Sequence, residues 1–175
     1  MRCLAFDSGA EHLGWASIGS ENNSPYYHMS GIIHLPRGAQ AFQEYRLEIT
    51  HTLAVWIPTL VDLTEPEFVV SEIIPPMGFN NSVQSYLANV AITVVHATIL
   101  NMGLSDIRQI SATSVKSQIA IGGKGKKRTK VNVRNGVLKL FPELEARRKE
   151  WSRAPWDEVD AIAIGAAALG FSNKI

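Results

Sequence analysis

Two short runs in this chain are apolar at nearly every position, and they constrain its fold more than any other feature. Residues 3–6 (CLAF) and residues 68–74 (FVVSEII) each have the length of a strand without a regular alternation of apolar and polar side chains. A strand that is apolar on both faces must be covered on both sides, as the central strands of α/β proteins are. The two runs therefore predict the buried centre of a sheet that is covered by helices.

The residues between and after these runs predict the other elements. Residues 12–18 and 26–35 have strand patterns, and the turn-forming residues 19–25 between them predict a hairpin loop. The remaining predicted elements are a strand at 107–110 and helices at 40–63, 82–102, 112–121, 129–141 and 157–171. The order β-β-β-α-β-α-β-α-α-α predicts an α/β protein with a mixed five-stranded sheet flanked by helices.

Two features interrupt the helical patterns. Pro58 falls inside the helix predicted at 40–63, where a kink or a restart is expected. Residues 143–155 are charged and end near a proline, which predicts a loop or a short exposed helix. There is no internal repeat and no compositional boundary, so residues 1–175 are predicted to form a single domain.

The charge of the chain is unevenly distributed, although it sums to +1. Residues 107–142 hold nine Lys and Arg and no Asp or Glu, which leaves eight basic against sixteen acidic residues elsewhere. The densest part, residues 122–130, is rich in glycine, and flexible basic side chains of this kind neutralise nucleic-acid phosphates. A solvated surface loop is the alternative interpretation. The basic side chains that we predict to bind DNA in this part are those of Lys124, Lys126, Lys127, Arg128 and Lys130.

Four carboxylates stand beside strongly apolar sequence. Asp7 ends the first apolar run, and Glu72 lies in the second. Asp157 and Asp160 open the last helix three residues apart, on one of its faces. Each alone has an ordinary explanation, as a turn former, a strand-edge residue or a helix-terminus acid. Together they would repel one another, and Mg²⁺ or Mn²⁺ would remove that repulsion; two such ions can hold the attacking water and the leaving oxygen of a phosphoryl displacement.

The remaining composition excludes several classes of protein. Cys3 is the one cysteine, so an intramolecular disulfide framework and a cysteine-based zinc site are excluded. Polar residues interrupt the longest apolar stretch, residues 86–104, and we expect no membrane partner. The first residues lead into a strand without the pattern of a signal peptide, so we expect a cytoplasmic protein.

Four motifs, in the right order along nearly the whole chain, carry a resemblance to a known family. They are residues 4–9 (LAFDSG) with 13–16 (LGWA), residues 69–72 (VVSE), Lys116 followed eleven residues later by Lys127, and residues 157–165 (DEVDAIAIG). In these motifs the chain resembles the RuvC family of Holliday-junction resolvases, which are RNase H-like nucleases. The opening motif and the last motif are fairly specific together, and either alone would be weak.

The resemblance implies an RNase H-like fold and a metal-dependent, structure-selective DNA endonuclease of DNA recombination and repair. It would nick four-way junctions and other branched DNA and leave 5′-phosphate and 3′-hydroxyl ends. Its catalytic residues would be Asp7, Glu72, Asp157 and Asp160, which bind two Mg²⁺ ions (Mn²⁺ substituting), and Lys116, which holds a phosphate oxygen. Because a four-way junction has near two-fold symmetry, we expect a homodimer, with the apolar helix 82–102 supplying a contact face.

The chain also departs from the family pattern. Ser8 stands where the family usually has a proline, and Pro75 stands where bacterial members carry an aromatic residue that stacks on junction bases. Phe79 is the nearest substitute for that aromatic residue. The enlarged basic loop leaves three candidates for the second family lysine: Lys127, Arg128 and Lys130. These departures favour a divergent member, with a phage or a virus as a candidate source and the host cytoplasm as its location in that case.

Three other functions stay open on the sequence alone. One is another RNase H-like nuclease that acts on RNA or on an RNA–DNA hybrid, which a requirement for the 2′-hydroxyl would reveal. A second is a non-catalytic DNA-binding module with a structural ion. The third is an actin-like ATPase, whose fold also opens with Asp-x-Gly after a strand; the chain is short for its two domains, so it ranks last.

Overall fold

The computed structural model describes residues 1–36, 42–73, 83–122, 129–152 and 155–173. The strands are β1 (Arg2–Ser8), β2 (His12–Glu21), β3 (Ser24–His34), β4 (Phe68–Glu72) and β5 (Ile107–Ile110). The α-helices are α1 (Phe42–Thr64), α2 (Val83–Asn101), α3 (Ala112–Ile119), α4 (Lys130–Leu140) and α5 (Asp157–Ala168). Among these described helices, none is both long enough and apolar enough to cross a membrane.

The five strands form one mixed sheet in the order β3-β2-β1-β4-β5. Strands β1, β2 and β3 pair antiparallel, whereas β1 with β4 and β4 with β5 pair parallel. The two apolar runs of the sequence are thus β1 and β4, side by side in the middle of the sheet. The predicted fold class, a mixed five-stranded sheet flanked by helices, is confirmed.

Helices cover both faces of this sheet, which explains why β1 and β4 have no polar face. Leu4 and Phe6 of β1 belong to the core beneath α1 and α2, while Cys3 and Ala5 point to the other face and pack with α5. Helix α5 lies close to the strands because it is built from small residues. A Cβ atom on Gly165 would lie 3.0 Å from the side chain of Ile18. The buried setting raises the pKa of the Cys3 thiol to about 12, consistent with a purely structural cysteine.

The hairpin between β2 and β3 is tighter than the sequence predicted. A seven-residue loop was expected at 19–25, but the strands continue to Glu21 and resume at Ser24. Asn22 and Asn23 alone make the turn, with φ angles of +49° and +62°. Asparagine tolerates this left-handed conformation, and a two-residue turn of this kind matches the twist of paired strands.

Two other sequence expectations need correction. Pro58 does not interrupt α1, which is continuous from Phe42 to Thr64; Ile57 and Leu60 on either side of the proline are both buried in one apolar stripe, and this packing holds the helix together. The stretch predicted as a loop or an exposed helix forms two 3₁₀ helices, Pro142–Arg148 and Glu150–Ser152. These helices are anchored because they bury Leu144 and Trp151.

Candidate active site

The parallel pairing of β1 and β4 brings two of the four carboxylates together. Phe6 pairs with Ser71, so Asp7 and Glu72 follow side by side at the carboxyl ends of neighbouring strands. Side chains alternate along a strand, and Asp7 therefore shares the face of Cys3 and Ala5, the face that α5 covers. The same alternation brings Glu72 to that face.

The first turn of α5 carries the other two carboxylates to the same place. Asp157 and Asp160 both lie in this turn. Two glycines allow the turn to approach the strands this closely. A Cβ atom on Gly14 in β2 would lie 2.0 Å from the main-chain oxygen of Asp157, and one on Gly9 would lie 3.0 Å from its carboxylate oxygen Oδ1.

A cavity of about 270 Å³ opens between the carboxyl ends of the strands and helices α3, α4 and α5. Its charged lining consists of all four predicted carboxylates and two lysines: Asp7, Glu72, Asp157, Asp160, Lys116 and Lys130. Lys116 comes from α3 and Lys130 from the first position of α4. The structure therefore brings together residues that lie as much as 153 positions apart in the sequence.

The carboxylates of this cavity are electrostatically strained. Burial, together with the charges of Asp160, Glu72 and Asp157, raises the pKa of Asp7 well above its ordinary value of 3.8. Burial and then the charge of Asp160 raise the pKa of Glu72, and burial also raises that of Asp157. A nearby positive charge would stabilise the ionised form of each of these carboxylates.

Lys130 supplies part of that positive charge. Its Nζ atom lies 3.0 Å from Oδ2 of Asp160. Burial alone would lower the pKa of Lys130, but the attraction of Asp160, and then of Asp7 and Asp157, raises it. The lysine is held in position because Thr129 and Asn132 form a capping box at the start of α4.

The chemistry of the lining fits a divalent cation, although the side chains are not closed around one. Among the residues that the structure describes, no three His, Cys, Asp or Glu side chains are gathered tightly enough to hold a metal ion. Like charges keep carboxylates apart, and one of them is engaged by Lys130. Four hard oxygen-donor side chains on one cavity are nevertheless the ligand type that Mg²⁺ and Mn²⁺ prefer.

The other predicted site residues have different outcomes. Lys116 and Lys130 line the cavity, as described above. The remaining predicted DNA-binding residues lie outside the described part of the chain: Phe79, Lys124, Lys126, Lys127 and Arg128.

Sequence reasoning did not recognise Glu158 or the structural need for Gly14. Glu158 stands between the two aspartates of α5, but it is turned away from the cavity and is only 4% exposed. Its position one residue after Asp157 is the available sequence signal, since it is rotated by about 100° around the helix.

Comparison with solved structures shows which known folds this sheet and its helices resemble. RuvC of T. thermophilus, solved in complex with a Holliday junction substrate, superposes with a TM-score of 0.70 at 18% identity, over 98% of both chains. The yeast mitochondrial Holliday junction resolvase Ydc2 superposes with a TM-score of 0.60 at 12% identity, over 96% of this chain and 78% of the Ydc2 chain. The fowlpox virus Holliday junction resolvase superposes with a TM-score of 0.56 at 13% identity, over 97% of this chain and 98% of the viral chain.

The chain thus has the fold of RuvC, as the sequence motifs predicted. No protein-family model matches the sequence, and no curated protein matches it. The likeness to these structures therefore lies in the fold, at a sequence identity of 18% or less.

Proposed function

We propose that this protein is a metal-dependent, structure-selective DNA endonuclease that nicks four-way junctions. One observation carries the proposal: four carboxylates from β1, β4 and α5 line a single cavity together with two lysines, within the fold of RuvC. A RuvC of this fold has been solved with its Holliday junction substrate, and a resolvase from fowlpox virus with its junction DNA. These complexes support branched DNA as the substrate class.

The proposed reaction is hydrolysis of a phosphodiester. Water attacks phosphorus, the bond to the 3′ oxygen breaks, and the products carry a 5′ phosphate and a 3′ hydroxyl. Two Mg²⁺ ions, or Mn²⁺ in their place, would lower the pKa of the attacking water and stabilise the leaving oxygen. Asp7, Glu72, Asp157 and Asp160 would hold these ions.

The lysines of the cavity would act on the phosphate. Lys116 lies on the wall formed by α3, where its ammonium group can neutralise charge that develops on a phosphate oxygen. Lys130 forms an ion pair with Asp160 in the structure. When cations bind the carboxylates, its ammonium group would be released to contact a phosphate of the DNA. The glycine-rich basic loop before α4 would extend the contact along the DNA backbone.

We further propose that residues 1–175 form one nuclease domain that acts as a homodimer. A two-fold dimer would offer one cavity to each of the two scissile strands of a junction. Helix α2 supports this arrangement because Leu100 is 54% exposed near its end and Met102, just beyond it, is 36% exposed. A groove between α1 and α2 that includes Tyr86, Val90 and Val94 adds partly apolar surface. A monomer mass in sedimentation at micromolar concentration would contradict the dimer.

The test is a comparison of cleavage and binding on labelled DNA. Purified protein with Mg²⁺ is given a four-way junction, a flap, a linear duplex and an RNA–DNA hybrid of the same sequence. We expect cleavage of the junction above all and Ca²⁺ to support binding with little cleavage, because Ca²⁺ is larger and less demanding in geometry. Cleavage that depends on the RNA strand would favour the alternative nuclease.

Asp7→Asn is the decisive variant because it keeps the size of the side chain and removes its charge. We expect it to abolish cleavage and to leave gel-shift binding of the junction intact. Asp62→Asn is the matched control, since Asp62 is an exposed acid on α1, outside the cavity. Cleavage by Asp7→Asn at a rate near that of the wild type would refute the proposed site, and wild-type protein that binds junctions but never cuts them would favour a non-catalytic module.

A further inference from the structure

A second set of charged and polar groups lies behind the first turn of α5, on the side away from the cavity. Its centre is Glu158, whose side chain is 6% exposed. Arg147 donates from Nη1 to Oε1 at 2.7 Å and from Nη2 to Oε2 at 2.9 Å. Ser30 of β3 donates to Oε1 at 2.6 Å, and the indole of Trp151 donates to Oε2 at 3.0 Å. Each carboxylate oxygen therefore accepts two hydrogen bonds.

These partners tie α5 to two separate parts of the fold. Ser30 belongs to β3, at the edge of the sheet, and Arg147 and Trp151 belong to the 3₁₀ helices between α4 and α5. The Arg147 guanidinium also lies over the Trp151 ring, 5.1 Å from its centre. This contact holds the guanidinium in the orientation in which its two nitrogen atoms donate to the Glu158 carboxylate.

The position of this cluster matters because the start of α5 has no ordinary cap. Trp156 occupies the N-cap position, and its side chain makes no capping hydrogen bond. Helix starts without a cap tend to fray, since their first N–H groups have no partners. The first turn is held instead by the close contact with Gly14 and by the four hydrogen bonds to Glu158.

An ion pair with a buried carboxylate is a costly way to hold two elements together if stability is all that is required. Desolvating Glu158 offsets much of the attraction between the two charges, and apolar side chains of similar volume often stabilise a protein as well or better. A carboxylate with four directed hydrogen bonds does, however, fix an orientation that apolar packing leaves looser. Asp157 and Asp160 lie on the same turn as Glu158, so the helix backbone links the orientations of all three side chains.

We infer that Glu158, gripped by Arg147, Trp151 and Ser30, is a positioning residue that sets the rotation of the first turn of α5 and so aims Asp157 and Asp160 into the cavity. The inference rests on the proposed function, because it assigns Glu158 a role toward the cation that those aspartates would hold. The inference also gives the 3₁₀ segment 142–152 a role, because this segment supplies Arg147 and Trp151, which hold Glu158 in place.

The experiment measures Mn²⁺ binding to the DNA-free protein by calorimetry. We expect Glu158→Gln to raise the dissociation constant for Mn²⁺ about tenfold, the lower end of what the loss of groups that support metal ligands costs. Arg147→Lys keeps every charge but loses the two-pronged grip, and we expect it to raise the dissociation constant at least threefold. This second variant separates positioning from a simple change in the charge near the metal, and it decides the matter if Glu158→Gln does not fold.

The control is Leu53→Ala, in α1 on the opposite face of the sheet. Leu53 is buried, so its truncation should lower the melting temperature, but it lies outside the 3₁₀ segment and outside α5 and should leave the Mn²⁺ dissociation constant within twofold of wild type. Wild-type affinity in Glu158→Gln and Arg147→Lys, or an equal loss in Leu53→Ala, would overturn the positioning role alone. Wild-type protein that binds no Mn²⁺ would instead refute the proposed metal-dependent function, and the positioning role would fall with it.

Discussion

Gly14→Ala tests how closely the site depends on the contact between strand β2 and helix α5. The added Cβ atom would lie 2.0 Å from the main-chain oxygen of Asp157 and 2.2 Å from its main-chain carbon. Both atoms belong to the backbone, so no side-chain rotation can relieve the contact. Strand and helix must separate until the distance reaches ordinary van der Waals contact near 3.4 Å, a shift of about 1.4 Å.

The expected losses follow from that shift. Forcing an extra carbon into a well-packed contact lowers the free energy of unfolding by about 1–3 kcal/mol. Because the shift moves the turn that carries Asp157 and Asp160, we expect cleavage to fall about 100-fold, since a misplacement of about 1 Å at a catalytic site can reduce the rate by that factor. Junction binding should change less than cleavage, since Gly14→Ala removes no basic side chain.

Gly19→Ala provides a matched control on the same strand. Its Cβ atom would also meet an atom at 2.0 Å, but that atom belongs to the Tyr26 side chain, which can rotate away. Single-turnover cleavage of a labelled junction and urea unfolding are measured for both variants. If Gly14→Ala cuts within threefold of the wild type, or if Gly19→Ala loses as much activity, the contact between β2 and α5 does not position the carboxylates.

Two further predictions concern charge. Burial and the charges of Asp160 and Glu72 raise the pKa of Asp7, so in the folded, metal-free protein this carboxyl group holds its proton more tightly than in the unfolded chain. The free energy of unfolding therefore falls as the pH rises from the ordinary value of 3.8 through the raised pKa. In urea unfolding with chelator, the stability of Asp7→Asn relative to the wild type should therefore increase as the pH rises above 3.8, and a difference that does not depend on pH would contradict this electrostatic effect. For the basic loop, the logarithm of junction affinity should fall with the logarithm of salt concentration by about 0.9 for each phosphate contact. Replacing Lys126 and Lys127 with alanine should flatten that slope, and an unchanged slope would make the loop a solvated surface.

Much of this fold could be predicted from local sequence because burial leaves a local record. A strand that is covered on both faces has to be apolar throughout, and the runs around Leu4 and Val69 show that directly. The same argument located the candidate acids, since a carboxylate such as Asp7 beside a buried run is conspicuous. Glu72 is conspicuous in the same way in the second apolar run, and the parallel pairing of β1 and β4 in the structure then brings the two acids side by side.

What depends on distant partners could not be predicted in this way. The sequence alone left Lys130 as one of three candidates for one role, and only the packing of α4 against α5 brings its ammonium group to Asp160. It presented Glu158 as one more acid in an acidic helix start, whereas in the structure Arg147 of the 3₁₀ segment neutralises it and Ser30 of β3 donates a hydrogen bond to it. Gly14 looked like part of a motif, and its necessity follows from a helix that begins 143 residues later. Composition and periodicity are properties of neighbouring residues, whereas ion pairs and close backbone contacts depend on which distant segments the folded chain brings together. The sequence alone therefore determined the helix and sheet layers and the four candidate carboxylates. The tertiary structure decided which residues surround those carboxylates.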